Sequence, residues 1–303
     1  LLICAVTKDR CILKRLFIKF PKGDLVMNKK SMICITGACG GLGKAFSAEC
    51  AARGWDLFLT DLSETALSAL AEGLSNTFSV NVAWYPADLT DNNSRTQLYQ
   101  YIQSKGFCFK GLINVAGLDY EGPFAERTRD QIRNLLRLNI EANLETTYTV
   151  LKLRDKCRPF RVINVASLAA YYPMPVKAMY AASKRFLLNF SMALREELRP
   201  IGATVTVLCP AGMPTTAACI RAIDSQGFAG RITTKNVGFV AARTIDHALK
   251  GHAVYIPGLI NRVLKFMGSL VPSTLVAHMV GNRWNSAYRK RSMEGMQNLQ
   301  YEY

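Results

Sequence analysis

Seven short apolar runs punctuate the chain from residue 31 onward: Met32 to Ile35, Leu57 to Leu59, Val80 to Tyr85, Leu112 to Val115, Val162 to Val165, Val205 to Leu208 and Ala253 to Ile256. Longer segments of helical period separate them. Runs that are apolar on both faces and spaced by helix-length segments describe parallel strands covered on both sides. The predicted fold class is therefore α/β, a doubly wound parallel sheet of Rossmann-like type with a short C-terminal helical extension. One domain is expected over residues 31–257, since no internal repeat and no linker rich in Pro, Gly or Ser interrupts it.

Past the last run the period changes. Leu259, Ile260, Val263, Leu264, Met267 and Leu270 recur at helical spacing, Asn261, Arg262, Lys265 and Ser269 lie opposite them, and Pro272 ends the helix. A second apolar stretch, Leu275 to Val280, precedes a basic end, Arg289-Lys290-Arg291. This tail, residues 258–303, reads as a helix on its own domain or on a second subunit of a homo-oligomer. The alternative is a peripheral contact with anionic membrane.

Residues 1–30 differ again. Lys and Arg are mixed through Ile, Leu and Phe, and Met27 resembles a natural start just ahead of a strand. The reading is an over-extended N-terminus, with a basic amphipathic anchor as the alternative. Leu1 to Val6 is too short an apolar run for a signal peptide or a spanning helix.

Half of the 303 residues are apolar, enough for a sizeable core. The net charge of +16 suggests nucleic acid until it is divided: residues 1–30 hold eight Lys/Arg against two Asp, and residues 259–303 hold six against two Glu. The middle is only mildly basic and has no Lys/Arg stripe interleaved with aromatics, so no nucleic-acid partner is expected. Nine cysteines without a Cys-x-x-Cys pair, and only three histidines, suggest neither a zinc site nor a disulfide framework. A reducing cytoplasm fits that usage best.

The first strand runs into Thr36-Gly37-Ala38-Cys39-Gly40-Gly41-Leu42-Gly43, and Lys44 to Ala52 reads as a helix. Glycines at a strand-to-helix turn let the backbone approach a pyrophosphate, whose charge sits at the helix N-terminus. The second strand ends in Thr60-Asp61, where a carboxylate can accept hydrogen bonds from ribose hydroxyls and repel a 2′-phosphate. Neither the glycine turn before Gly41 nor the two residues after Asp61 offers Arg or Lys, so NAD is expected in preference to NADP. A plain helix N-terminal charge is the bland account of Asp61, and it leaves the strand-end position unexplained.

An apolar strand delivers Ser167, and thirteen residues later Tyr180 and Lys184 stand four apart, on one face of a helix. A lysine cation beside a phenol is expected to favour the phenolate and bring it closer to use at neutral pH. Taken alone, such a spacing is ordinary surface decoration. Tyr171 and Tyr172 lack a lysine four residues on and are read as pocket lining.

Together these residues carry a resemblance. Thr36-Gly37-x-x-x-Gly41-x-Gly43, Asp88 in Ala87-Asp88-Leu89-Thr90, Asn114-Val115-Ala116-Gly117, Asn139, Ser167, Tyr180 and Lys184 resemble the short-chain dehydrogenase/reductase family in order and spacing, across about residues 31 to 257. The resemblance implies an NAD(P)-dependent oxidoreductase with Tyr180 as proton donor or base, Ser167 orienting the substrate oxygen, Lys184 binding ribose, and Asn139 holding a water of the proton relay. It implies a cofactor set of Thr36, Gly37, Gly41, Leu42, Gly43, Asp61, Asp88, Leu89, Asn114 and Thr215 with Tyr180 and Lys184. Two departures are visible: Val115 replaces the usual second Asn, and Pro210-Ala211-Gly212-Met213-Pro214-Thr215 replaces the usual Pro-Gly turn.

Three segments are expected around the reacting carbon: Leu118 to Phe124, Leu168 to Val176, and a lid from Met213 to Thr234. The first two hold few charges, which implies a small apolar substrate. Arg221 and Arg231 read as solvated charges rather than anion ligands. The first expectation is oxidation of a hydroxyl on a steroid-like or lipid-like molecule, the second reduction of a 3-oxoacyl thioester. A dinucleotide-binding sensor without turnover is a third reading.

Overall fold

The computed structural model describes residues 31–215, 217–224, 227–282 and 284. The expectations about residues 1–30 and about Arg289 to Arg291 lie outside the described residues.

Seven parallel strands form one sheet: β1 (Met32–Thr36), β2 (Leu57–Asp61), β3 (Val82–Pro86), β4 (Phe109–Asn114), β5 (Arg161–Val165), β6 (Thr204–Leu208) and β7 (Val254–Tyr255). Their order across the sheet is β3-β2-β1-β4-β5-β6-β7. The chain therefore winds outward from β1 through β3, then returns to lay β4 on the other side of β1. That reversal opens a crevice at the strand C-termini, where doubly wound sheets bind their ligands. In register there, Thr36 of β1 pairs with Asn114 of β4.

The central strands are buried on both faces because alternate residues serve two cores. Ile33, Ile35, Leu57 and Leu59 pack with Phe46, Leu67, Val240 and Ile245. These last come from α1 (Gly41–Ala52), α2 (Glu64–Phe78) and, later in the chain, residues 237–249. On the other face Cys34, Phe58, Leu112 and Val162 meet Leu98, Ile102, Val150 and Leu198. Those side chains belong to α3 (Asn92–Ser104), to α5 (Ala142–Lys152), which follows α4 (Arg129–Leu136), and to α6 (Ala178–Leu198).

Differences from the sequence reading are local. The third strand starts at Val82 rather than Val80, because Ser79 caps α2 in a left-handed conformation at φ 54° and the chain needs two more residues to reach the sheet. The first helix starts at Gly41, inside the glycine turn. The expected lid loop carries two short helices, α7 (Ala217–Asp224) and α8 (Gly227–Thr233), before α9 (Val237–Leu249). After β7 come α10 (Leu259–Ser269) and a further helical segment, residues 273–282.

The orientation of α10 reverses ordinary expectation. Asn261 is the buried residue of this helix, and its amide donates to the Thr233 and Pro257 carbonyls at 3.0 and 2.7 Å. Leu259, Val263, Phe266, Met267 and Leu270 are all more than half exposed. The helix packs on its own domain, against the 3-10 turn Leu168–Tyr171 and α8.

Candidate active site

A cavity of about 1220 Å³ starts at the glycine turn, passes Asp61 and Asp88, and reaches Ser167, Tyr180 and Lys184. Two glycines are dictated by geometry. Gly37 has φ 63°, and a Cβ there would fall 2.7 Å from the Ala116 nitrogen. A Cβ on Gly43 would fall 1.9 Å from the Gly37 carbonyl oxygen, so the first turn of α1 can close onto the loop only without a side chain. No side chain caps α1 at Gly40, and its first turn lines the cavity. Such a helix start suits an anion.

Asp61 accepts the Cys39 backbone N–H at 2.8 Å with one oxygen and the Leu62 N–H at 2.7 Å with the other. It thus fastens the glycine loop while facing the cavity, and a carboxylate with about four acceptor positions still has room for hydroxyl donors. Its charge, after burial, helps push the Cys39 thiol up to about 11. Asp88 accepts from the N–H and hydroxyl of Thr90 at 2.8 and 2.7 Å, a local turn that holds it at the wall. Leu42 and Leu89 are buried there, the Leu89 carbonyl taking a 2.9 Å bond from the buried Arg95.

Thr36, Asn114 and Asn139 stand behind the cavity rather than on its surface. The Thr36 hydroxyl accepts from the Val115 and Ala116 N–H groups at 3.2 and 3.3 Å. The Asn114 amide donates to Thr147 and Asn164 at 3.0 and 2.9 Å. Asn139 is fully buried on a π-turn, Arg137–Glu141, a widening of the helical path that often marks functional sites. It accepts from Leu118 N–H at 2.8 Å and donates to the Leu118 carbonyl at 2.9 Å and to Ser183 at 3.0 Å. Ser183, which the sequence reading missed, in turn donates to the Tyr180 carbonyl at 2.8 Å. Its only sequence signal is a small polar residue on the buried face of α6.

The reactive end is built from β5 and α6. Ser167 follows β5 by two residues and accepts the Ala169 N–H at 3.1 Å. The Lys184 ammonium lies 5.7 Å from the Tyr180 ring centre and donates to the Val165 carbonyl at 3.0 Å. Burial pulls Lys184 down to about 8, opposed by Asp119 and Cys209. Burial, then Asp119, push the Tyr180 phenol up to about 12, while a hydrogen bond with Ser167 and the charge of Lys177 act the other way. The expectation that Lys184 lowers this phenol is therefore not met. Desolvation dominates, and the cation that opposes it is Lys177 rather than Lys184.

Thr215 folds back on the glycine turn: a Cβ at Gly41 would touch its Cα at 2.9 Å. Its hydroxyl donates to the Cys219 sulfur at 3.3 Å. Tyr172 lines the cavity, but Tyr171 does not, and its phenol is instead hydrogen-bonded with Cys209. Arg231 is exposed and paired with Asp224 at 3.0 Å, as a solvated charge would be. The far wall was not foreseen: Leu264, Met267, Val276, Met279, Val280 and Trp284, all from the tail, enclose the apolar end. Their helical spacing was visible; that they meet the catalytic domain here was not.

A family model described as short chain dehydrogenase matches residues 31–222. Human 17-beta-hydroxysteroid dehydrogenase type 3 is 30% identical over 225 residues, covering 71% of each chain. A very-long-chain 3-oxoacyl-CoA reductase of Pyricularia oryzae is 28% identical over 241 residues, covering 73% of this chain and 71% of the reductase. Among solved structures, a short-chain dehydrogenase from Sphingobium yanoikuyae in complex with NADPH superposes with a TM-score of 0.66 at 25% identity, over 79% of this chain and 93% of that one.

Proposed function

Since the chain belongs to the short-chain dehydrogenase family, an oxidoreductase using a nicotinamide cofactor on a lipid-like substrate, we propose that it interconverts a secondary alcohol and a ketone on a bulky apolar molecule of hydroxysteroid type. One observation carries this reading: the cavity joins a dinucleotide cradle to Ser167 and Tyr180 and then ends among apolar side chains of the tail. The glycine turn, with three positions where a Cβ would collide, fits a bound pyrophosphate. Asp61 at the end of β2 supports NAD(H) over NADP(H).

The bound nicotinamide would supply or accept the hydride. The chain's own part is the proton and the geometry. With a phenol raised to about 12, Tyr180 keeps its proton at neutral pH and can pass it to a developing alkoxide. Ser167 offers the second hydrogen bond at that oxygen. Lys184, close to 8, exchanges protons near neutrality, and Gly117 leaves room for it and for Asn139, since a Cβ there would meet Lys184 Nζ at 3.1 Å and Asn139 Oδ1 at 3.3 Å. Residues 31–257 then form the catalytic unit, and tail residues between Leu264 and Trp284 complete its substrate wall.

The test is spectrophotometric. Purified protein with NAD(H) or NADP(H) is assayed on hydroxysteroids, long-chain secondary alcohols and 3-oxoacyl thioesters. Turnover of steroid alcohols or ketones is expected. Turnover of acyl thioesters alone would replace the steroid reading with the reductase one, and tight NADH binding with no turnover would favour a sensor.

The outward face of α10 supports a peripheral membrane contact. Its apolar side chains face solvent, Arg262 and Lys265 flank them, and no Asp or Glu occurs from residue 258 to 284. Among the described residues no helix is long and apolar enough to cross a membrane. Cosedimentation with neutral and with phosphatidylserine-containing vesicles tests this; Val263→Asp with Leu270→Asp should abolish binding. Loss of a dimer in the same variant, without vesicle binding by the parent, would assign the face to a second subunit.

A further inference from the structure

Lys177 sits at the start of α6, three residues before Tyr180, and nothing in its sequence context singled it out. Its ammonium is bonded to the Asp119 carboxylate and lies 3.2 Å from Glu121. The same nitrogen is 5.8 Å from the Tyr180 ring centre and 5.2 Å from that of Trp284. One cation thus joins three segments: the loop after β4, the catalytic helix and the tail at Trp284. The side chain is only 13% exposed, so these interactions are shielded from water, and a cation over aromatic faces gains accordingly.

The backbone agrees. Val176 has φ 59°, a conformation a β-branched residue adopts only when its surroundings hold it there. Its carbonyl accepts the Gly122 N–H at 2.8 Å, tying the same two loops beside the ion pairs. The tail presses on this segment at two more places, since Cβ atoms built on Gly268 and Gly281 would lie 2.2 Å from Tyr172 and 3.0 Å from Pro175.

We propose that Lys177 is a positioning and specificity-determining residue, a clasp between Asp119, Glu121, Tyr180 and Trp284 that holds the tail over the cavity and sets the width of substrate reaching the Tyr180 hydroxyl. The proposal rests on the alcohol/ketone reading of the site for its kinetic part only. The charge of Lys177, 5.8 Å from the ring centre, also favours ionisation of that phenol, so removing it should be felt in the pH profile.

The experiment compares the full-length parent with Lys177→Met and Lys177→Arg. Hydrogen exchange of residues 273–282 needs no turnover: Lys177→Met should speed it about tenfold and Lys177→Arg should restore protection. Unchanged exchange in Lys177→Met would overturn the clasp whatever the enzyme's substrate. With a working substrate, Lys177→Met should raise KM for compact secondary alcohols about tenfold, spare bulky ones, and move the alkaline limb of alcohol oxidation to higher pH. A uniform loss of kcat across substrates with an unmoved pH profile would mark Lys177 as merely structural and sink the proposal. Absence of turnover in the parent, with exchange responding as stated, would count against the alcohol/ketone reading and leave the clasp standing.

Discussion

Gly268 of α10 lies flat against Tyr172: a Cβ at position 268 would fall 2.2 Å from the tyrosine Cε1. This close approach brings the tail helix to the cavity, with Leu264 and Met267 reaching its wall. Gly268→Val should push α10 outward, raising KM for an apolar substrate about tenfold. The helix is largely exposed, so the melting temperature should move by only a few degrees, of the order expected for ~1 kcal/mol. Steady-state kinetics and a thermal melt check this, and an unchanged KM would detach α10 from substrate binding.

Asp61 serves two tasks, as an acceptor facing the cavity and as the anchor of the Cys39 N–H. Asp61→Ser should raise KM for NAD roughly tenfold or more while changing KM for NADP far less, since a repelling charge is lost along with an acceptor. The ratio of kcat/KM for the two cofactors is the measurement. An unaltered ratio would mean that Asp61 holds the loop and does not select the cofactor.

Because burial raises Tyr180 to about 12, the protonated form dominates at neutral pH and the base form grows as pH rises. Alcohol oxidation should therefore accelerate steadily into the alkaline range, whereas ketone reduction should be flat near neutrality. Tyr180→Phe should remove at least 99% of both while cofactor still binds, a loss of about 3 kcal/mol in transition-state stabilisation. An oxidation profile already flat below pH 7 would contradict the raised phenol.

Lys184 has a folded value near 8 against 10.5 for the free side chain. Between those values the unfolded chain holds a proton that the folded protein has lost, so stability rises with pH across that window. Denaturant unfolding of the unliganded protein at pH 7.5 and pH 10 should show the rise, and Lys184→Met should flatten it. Tyr180 acts in the opposite sense only above pH 10, since its folded value is the higher one.

The strands of the sheet, the glycine turn and the reactive pair were legible in the chain because they rest on local rules. Ile33, Ile35 and Leu57 announce strands buried on both faces, glycines at 37 and 43 announce a tight turn, and Tyr180 and Lys184 share a helical face. Strand and helix periods are short-range properties, so sequence alone determined them. What the tertiary structure decided depends on residues far apart in the chain. The π-turn that buries Asn139, the bond from Asn139 through Ser183 to α6, and the turning of Asn114 and Thr36 behind the wall follow from packing that no local pattern encodes. The tail shows this most plainly. Its period predicted a helix, yet whether the apolar stripe faced inward depended on Gly268 meeting Tyr172 and on Asn261 finding two carbonyls. The sign of the Tyr180 shift was decided in the same way, because spacing places a lysine beside a phenol, whereas burial, a property of the whole fold, sets which of the two keeps its proton.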